Sequence, residues 1–188
     1  MLENVRADFA THGRTLRSAG FWAMLVYRFG VWSKNRRFRP WRWFTSGLYV
    51  LMNLLVQGGT GIVLERDTKL GDGFHIIHPG LLHVHPHATI GERVAVMHNV
   101  TIGTNMSADC PTIGDDVFIG CGASVLGGIT IGDGARISAN TLVISDVPAG
   151  AVAMGVPAQI YPNMDRLRKR KKKKTTPSVS AEARVQES

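Results

Sequence analysis

The chain has 188 residues, 44% of them hydrophobic, enough for one packed domain with modest extensions. Its formal charge of +8 is local: eight of the nine residues Arg166–Lys174 are Lys or Arg, leaving 14 basic against 14 acidic residues elsewhere. A balanced body argues against nucleic-acid binding. Cys110 and Cys121, eleven apart, fit neither a zinc-ligand nor a C-x-x-C spacing and read as reduced thiols.

The first residues, Met-Leu-Glu-Asn-Val-Arg-Ala-Asp, lack the basic head and apolar core of a secretory signal, so a cytoplasmic location is expected. Residues 1–57 form a first section rich in Trp, Phe, Leu and Arg. Trp22, Leu25, Val26, Phe29 and Val31–Trp32 approximate a helical stripe, which Arg36-Arg37-Phe38-Arg39-Pro40 should end; Trp41–Val56 predicts a second helix. The most apolar stretch, Phe44–Val56, falls short of the roughly 20 residues needed to cross a bilayer. Two readings suit such helices. They pack on the protein's own body or a neighbouring subunit, or they lie in a membrane interface with Trp41, Trp43 and the arginines at headgroup level. The second would place the protein peripherally on the inner face of the cytoplasmic membrane.

Residues 58–160 differ in kind. Aliphatic residues recur every six positions: Leu64, Leu70, Ile76; then Val84, Ile90, Val96, Ile102; then Ile113, Ile119, Val125, Ile131, Ile137, Val143. Neither a helix nor an ordinary strand has that period, but a solenoid of short strands joined by tight corners does. Each aliphatic side chain would point into a shared interior, and Gly, Asn and Asp would turn the corners. The period breaks twice, at Ile77–His83 and around Gly103–Thr112. Insertions in repeat proteins commonly sit on the binding face. Residues 161–188 lack periodicity and read as a basic, disordered tail.

Six of seven histidines lie between positions 75 and 98. One reading is a metal site, as in a carbonic-anhydrase-like hydratase, with His78 and His83 as ligands. No upstream His completes the pattern, so no metal is expected. The other reading is general base catalysis by one imidazole.

Gly73-Phe-His-Ile-Ile-His78-Pro-Gly, then Ala-Thr-Ile-Gly-Glu, Asn-Val-Thr-Ile-Gly103 and Gly-Val-Pro-Ala158, resemble the serine O-acetyltransferases and, more narrowly, the acetyltransferases of bacterial exopolysaccharide gene clusters. That resemblance implies a mainly β fold, a left-handed parallel β-helix, assembled as a homotrimer or a dimer of trimers, with acetyl-CoA between two subunits. It implies His78 as catalytic base, and cofactor contacts around Gly103–Thr104, Gly122–Ala123 and Ala139. The reaction implied is direct acetyl transfer to a hydroxyl, an acid too weak to react unaided at neutral pH.

Departures from the family pattern bear on the acceptor. Ile77 stands where serine acetyltransferases carry an Asp, Asp109-Cys110 replaces their Arg-His pair, and Val63 replaces the Asp that orients the base. Glu65 is the nearest carboxylate and the candidate to orient His78. Without the cation and carboxylate that would hold an amino acid, the expected acceptor is a saccharide hydroxyl in surface-polysaccharide synthesis. L-serine is the alternative, and a non-catalytic scaffold lies further off.

Overall fold

The computed structural model describes residues 2–106 and 108–162. The basic run and the tail expected beyond it lie outside the described residues. Three helices come first: α1 (Leu2–Thr11), α2 (Ala19–Lys34) and α3 (Arg39–Thr60). The Ser18 side chain caps α2 by accepting from the Phe21 amide. Pro40 sits in the first turn of α3, where its missing N–H costs nothing, so it opens the second helix as much as it bars the first from continuing. α1 was not expected from the sequence. It is short and polar, and it is held in place by contacts rather than by propensity; Arg28 of α2 pairs with its buried Asp8 at 3.0 Å.

Five turns of parallel β-helix follow. The first holds β1 (Ile62–Leu64), β2 (Lys69–Leu70) and β3 (His75–Ile76), and the second β4 (Leu82–Val84), β5 (Thr89–Ile90) and β6 (Ala95–Val96). The third holds β7 (Val100–Gly103), β8 (Thr112–Ile113) and β9 (Phe118–Ile119). The fourth holds β10 (Ser124–Leu126), β11 (Thr130–Ile131) and β12 (Arg136–Ile137). The last is β13 (Leu142–Val143), a bridge at Val147, and β14 (Val152–Met154). β15 (Gln159–Tyr161) then turns back antiparallel on β14.

Strands from successive turns stack into three walls, called here A (β1-β4-β7-β10-β13), B (β2-β5-β8-β11) and C (β3-β6-β9-β12-β14-β15). The register places the period-six residues directly over one another. Leu64, Val84, Ile102, Val125 and Val143 form one interior column, and Ile76, Val96, Ile119 and Ile137 another. All but the half-buried Leu70 among the thirteen expected rung positions are buried. Each rung thus buries its aliphatic side chain against its neighbours, which is how a stack of individually unstable units becomes stable.

A solenoid end exposes backbone groups, and here the helices occupy them. Tyr49 of α3 accepts from the Arg66 amide at 3.2 Å, and Tyr27 of α2 donates to the Thr68 carbonyl at 2.8 Å. Arg28 donates to the Gly71 carbonyl at 3.4 Å, and His12 Nε2 accepts from the Ile76 amide at 3.2 Å. The helical segment is therefore a lid on the first turn.

α3 is amphipathic the wrong way round for a lid. Its inner side carries Thr45, Ser46 and Tyr49, which bond to Ser33 and Arg66. Its outer side carries Trp41, Trp43, Phe44, Leu48, Val50, Leu51, Leu54 and Leu55, all exposed. No helix among the described residues is long and apolar enough to cross a membrane.

Candidate active site

The first break in periodicity falls at the corner between walls C and A. Two residues past β3, His78-Pro79-Gly80 bulges outward and leaves the His78 imidazole exposed. One turn on, the same corner holds His98, whose ring lies 6.1 Å from that of His78. A Cβ on Gly80 would sit 3.3 Å from the His98 Cβ, so the bulge and the next corner are in close contact. Above His98 come Cys121–Gly122 and then Ala139–Asn140, linked by Gly122 N–H to the His98 carbonyl and Asn140 N–H to the Cys121 carbonyl. His78, Gly122 and Ala139 consequently line a single edge of the prism, whereas Ala123, expected beside Gly122 as a cofactor contact, is buried in the core with its carbonyl bonded to the Thr101 amide. The Gly122 and Ala123 amides are already engaged, to His98 and Gly120 respectively.

The second break falls at the other border of wall A. Gly103 and Thr104 lie where the chain leaves β7 for the loop that ends at Pro111, and Glu65 stands at the same corner two turns below. Glu65 and His78 thus occupy opposite borders of wall A in the first turn and share no hydrogen bond within the chain. The loop leans over the fourth turn, where a Cβ on Gly128 would meet Asp109 Cβ at 2.6 Å. Its base is tied by Cys110 Sγ, 3.0 Å from His85 Nδ1. That nitrogen also accepts from the His87 amide at 3.2 Å, so it carries no proton and the thiol is the donor. Burial, and then the nearby Asp109 charge, raise the Cys110 thiol above its ordinary range, which keeps it protonated for that role.

Behind His78, on β3, lies His75. Burial pushes its pKa down. The His12 ring stands edge-on to it at 5.1 Å. Among the described residues no three His, Cys, Asp or Glu side chains converge as a metal site. Sequence reasoning singled out His78 but not His98, although its position twenty residues later is one eighteen-residue turn plus the two-residue insertion. His12 carried no such signal, because its partner is a backbone amide 64 residues away.

Stacked hexapeptide rungs with an exposed imidazole at an irregular corner fit a hexapeptide-repeat transferase. The bacterial transferase hexapeptide family (six repeats) matches residues 110–145. A serine acetyltransferase of Helicobacter pylori is 35% identical over 143 residues, covering 74% of this chain and 80% of that protein. A solved serine acetyltransferase in complex with CoA superposes with a TM-score of 0.72 at 26% identity, covering 85% of this chain and 69% of the other. The soybean enzyme complexed with serine superposes at 0.66 with 30% identity, covering 78% and 58%. The chain belongs to the serine acetyltransferase family. It is accordingly an acyltransferase, and acetyl-CoA is the acyl donor of that family. These relatives are described as acting on serine, and the saccharide acceptor expected from the sequence finds no support among them.

Proposed function

We propose that the chain transfers acetyl from acetyl-CoA to the hydroxyl of L-serine, with His78 as general base. The observation that carries this reading is the exposed His78 at the outward corner, on an edge shared with Gly122 and Ala139. The acceptor O–H gives its proton to the imidazole as the oxygen attacks the thioester carbonyl. The tetrahedral intermediate collapses, the C–S bond breaks, and the imidazolium returns the proton to the departing thiolate. Backbone amides along the groove stabilise the oxyanion. Acetyl-CoA lies against this edge and the Gly103–Thr104 border of a neighbouring copy, in a trimer or a dimer of trimers.

One observation favours a second reading, a neutral hydroxyl acceptor such as a saccharide. The half-buried Ile77 adjoins the base, and Cys110, where the family pattern places half of a carboxylate-binding pair, is turned to His85. The cation expected for an amino-acid carboxylate is missing from that position.

Thiol release from acetyl-CoA, measured with L-serine and then with hexoses, separates the two. Turnover with serine at least tenfold above that with any sugar supports the first; the reverse ratio removes it. His78→Ala should lower kcat by about 10²–10⁴-fold, the usual contribution of a general base, with an unchanged circular dichroism spectrum because the side chain is exposed. Undiminished turnover would refute the assignment of the base.

A further inference from the structure

The outward side of α3 is the largest unexplained apolar feature among the described residues. At 100° per residue, Trp41, Phe44, Leu48, Leu51 and Leu55 form one stripe, and Trp43, Val50 and Leu54 widen it to about half the cylinder. Trp43 is 77% exposed and Leu55 69%, and no charged residue interrupts the arc. Cβ atoms built on Gly47 and Gly58, in the same arc, would meet nothing within 4 Å. The stripe from Trp41 to Leu55 runs for about 21 Å along the helix.

Charge decides what covers it. Between Asp8 and Glu65 the chain has no acidic residue, while Arg14, Arg17, Arg28, Lys34, Arg36, Arg37, Arg39 and Arg42 lie in that interval. Arg28 and Lys34 are paired with Asp8 and Asp67, but Arg37 and Arg39 flank exposed Phe38, close to exposed Trp41, with no acidic partner among the described residues. In a pairing of two copies through this face, the arginines at the start of α3 would find no carboxylate on the α2 or α3 of the other copy. An anionic lipid surface complements both properties, taking the aromatic and aliphatic arc into the acyl boundary and the arginines at headgroup level. We infer that α3 docks the protein on anionic membranes, lying in the interface with its apolar side down. The polar inner side then keeps its bonds to Ser33 and Arg66, so the fold need not open for binding.

Sedimentation of the full-length protein with vesicles tests this. Phosphatidylcholine vesicles, with and without about 30% phosphatidylglycerol, supply the neutral and anionic surfaces. Partition should rise at least tenfold with the anionic lipid. It should fall at least tenfold in a Trp43→Ser, Leu51→Ser, Leu55→Ser variant whose thermal melt shows that it still folds. A Lys171→Gln, Lys172→Gln, Lys173→Gln, Lys174→Gln variant should retain most of the binding, which separates α3 from the basic tail. Bromine on the acyl chains should quench tryptophan fluorescence of the unaltered protein, a readout that needs no variant. Equal binding by the α3 variant, absence of quenching, or a smaller oligomer in the α3 variant without vesicle binding by the unaltered protein would each overturn the inference.

Discussion

His12 shows how much one side chain can fix. Its Nδ1–H donates to the Asp8 carbonyl at 2.7 Å and its Nε2 accepts from the buried Ile76 amide, an arrangement available only to the neutral ring. His12→Ala should cost about 1–3 kcal/mol, the penalty for leaving a buried amide unpaired, read as a lower urea midpoint at unchanged slope. Gly20→Ala should cost a similar amount, about 1–3 kcal/mol for overpacking, because its Cβ would sit 2.8 Å from both the His12 ring and the Ile76 carbonyl. An unshifted midpoint in both would show that the lid does not grip the first turn there. His75 gives a pH dependence. Its native pKa lies below 6.5, so just below that pH the unfolded chain binds more protons than the native one. The stability contributed by neutral His75 is therefore complete above about pH 6.5 and declines as pH falls toward the native value. Urea midpoints at about pH 7.5 and 5.5 should converge in His75→Gln relative to the unaltered protein. An identical pH slope would disprove the link.

At the scale of elements, the loop after β7 and the helices behave differently as sequence signals. The loop borders wall A, and Gly128 gives it room to lean over the fourth turn. Gly128→Ala should push Asp109 outward and raise the KM for acetyl-CoA severalfold while leaving kcat and melting temperature nearly unchanged, since the core is untouched. Equal KM values would mean that the loop's position is not used. The rungs were legible because period six has no competing explanation, and every one of the thirteen aliphatic positions from Leu64 to Val143 falls in a strand. The two irregular corners were legible as gaps in that period. α1 was not, since a polar ten-residue segment carries no stripe and owes its helix to Asp8 and His12. The orientation of α3 was also hidden: periodicity reveals that a helix has two sides but not which one the fold will bury, and here hydrogen bonding to Ser33 and Arg66 selected the polar one. Glu65 is the carboxylate nearest Val63, the place of the family's orienting Asp, but within the chain wall A stands between it and His78.

On the whole-molecule scale, residues from widely separated turns reach one site because a corner repeats with every turn; His78, His98, Gly122 and Ala139 are remote in sequence and aligned in space. The same regularity carries a hazard, as a stack of parallel strands offers a template at either extremity. The two extremities are covered by unrelated means: side chains of the three helices below, and above, on wall C, β15 running antiparallel against β14. A chain ended at Gly155 would lack β15 and should form thioflavin-positive aggregates that the unaltered chain does not; equal thioflavin signals would show that wall C tolerates a bare border. Polymerisation needs a propagating end, and on wall C an antiparallel strand breaks the parallel template. The middle turns carry no such duty, so an extra eighteen-residue turn could be spliced between the third and fourth without creating a new way to grow.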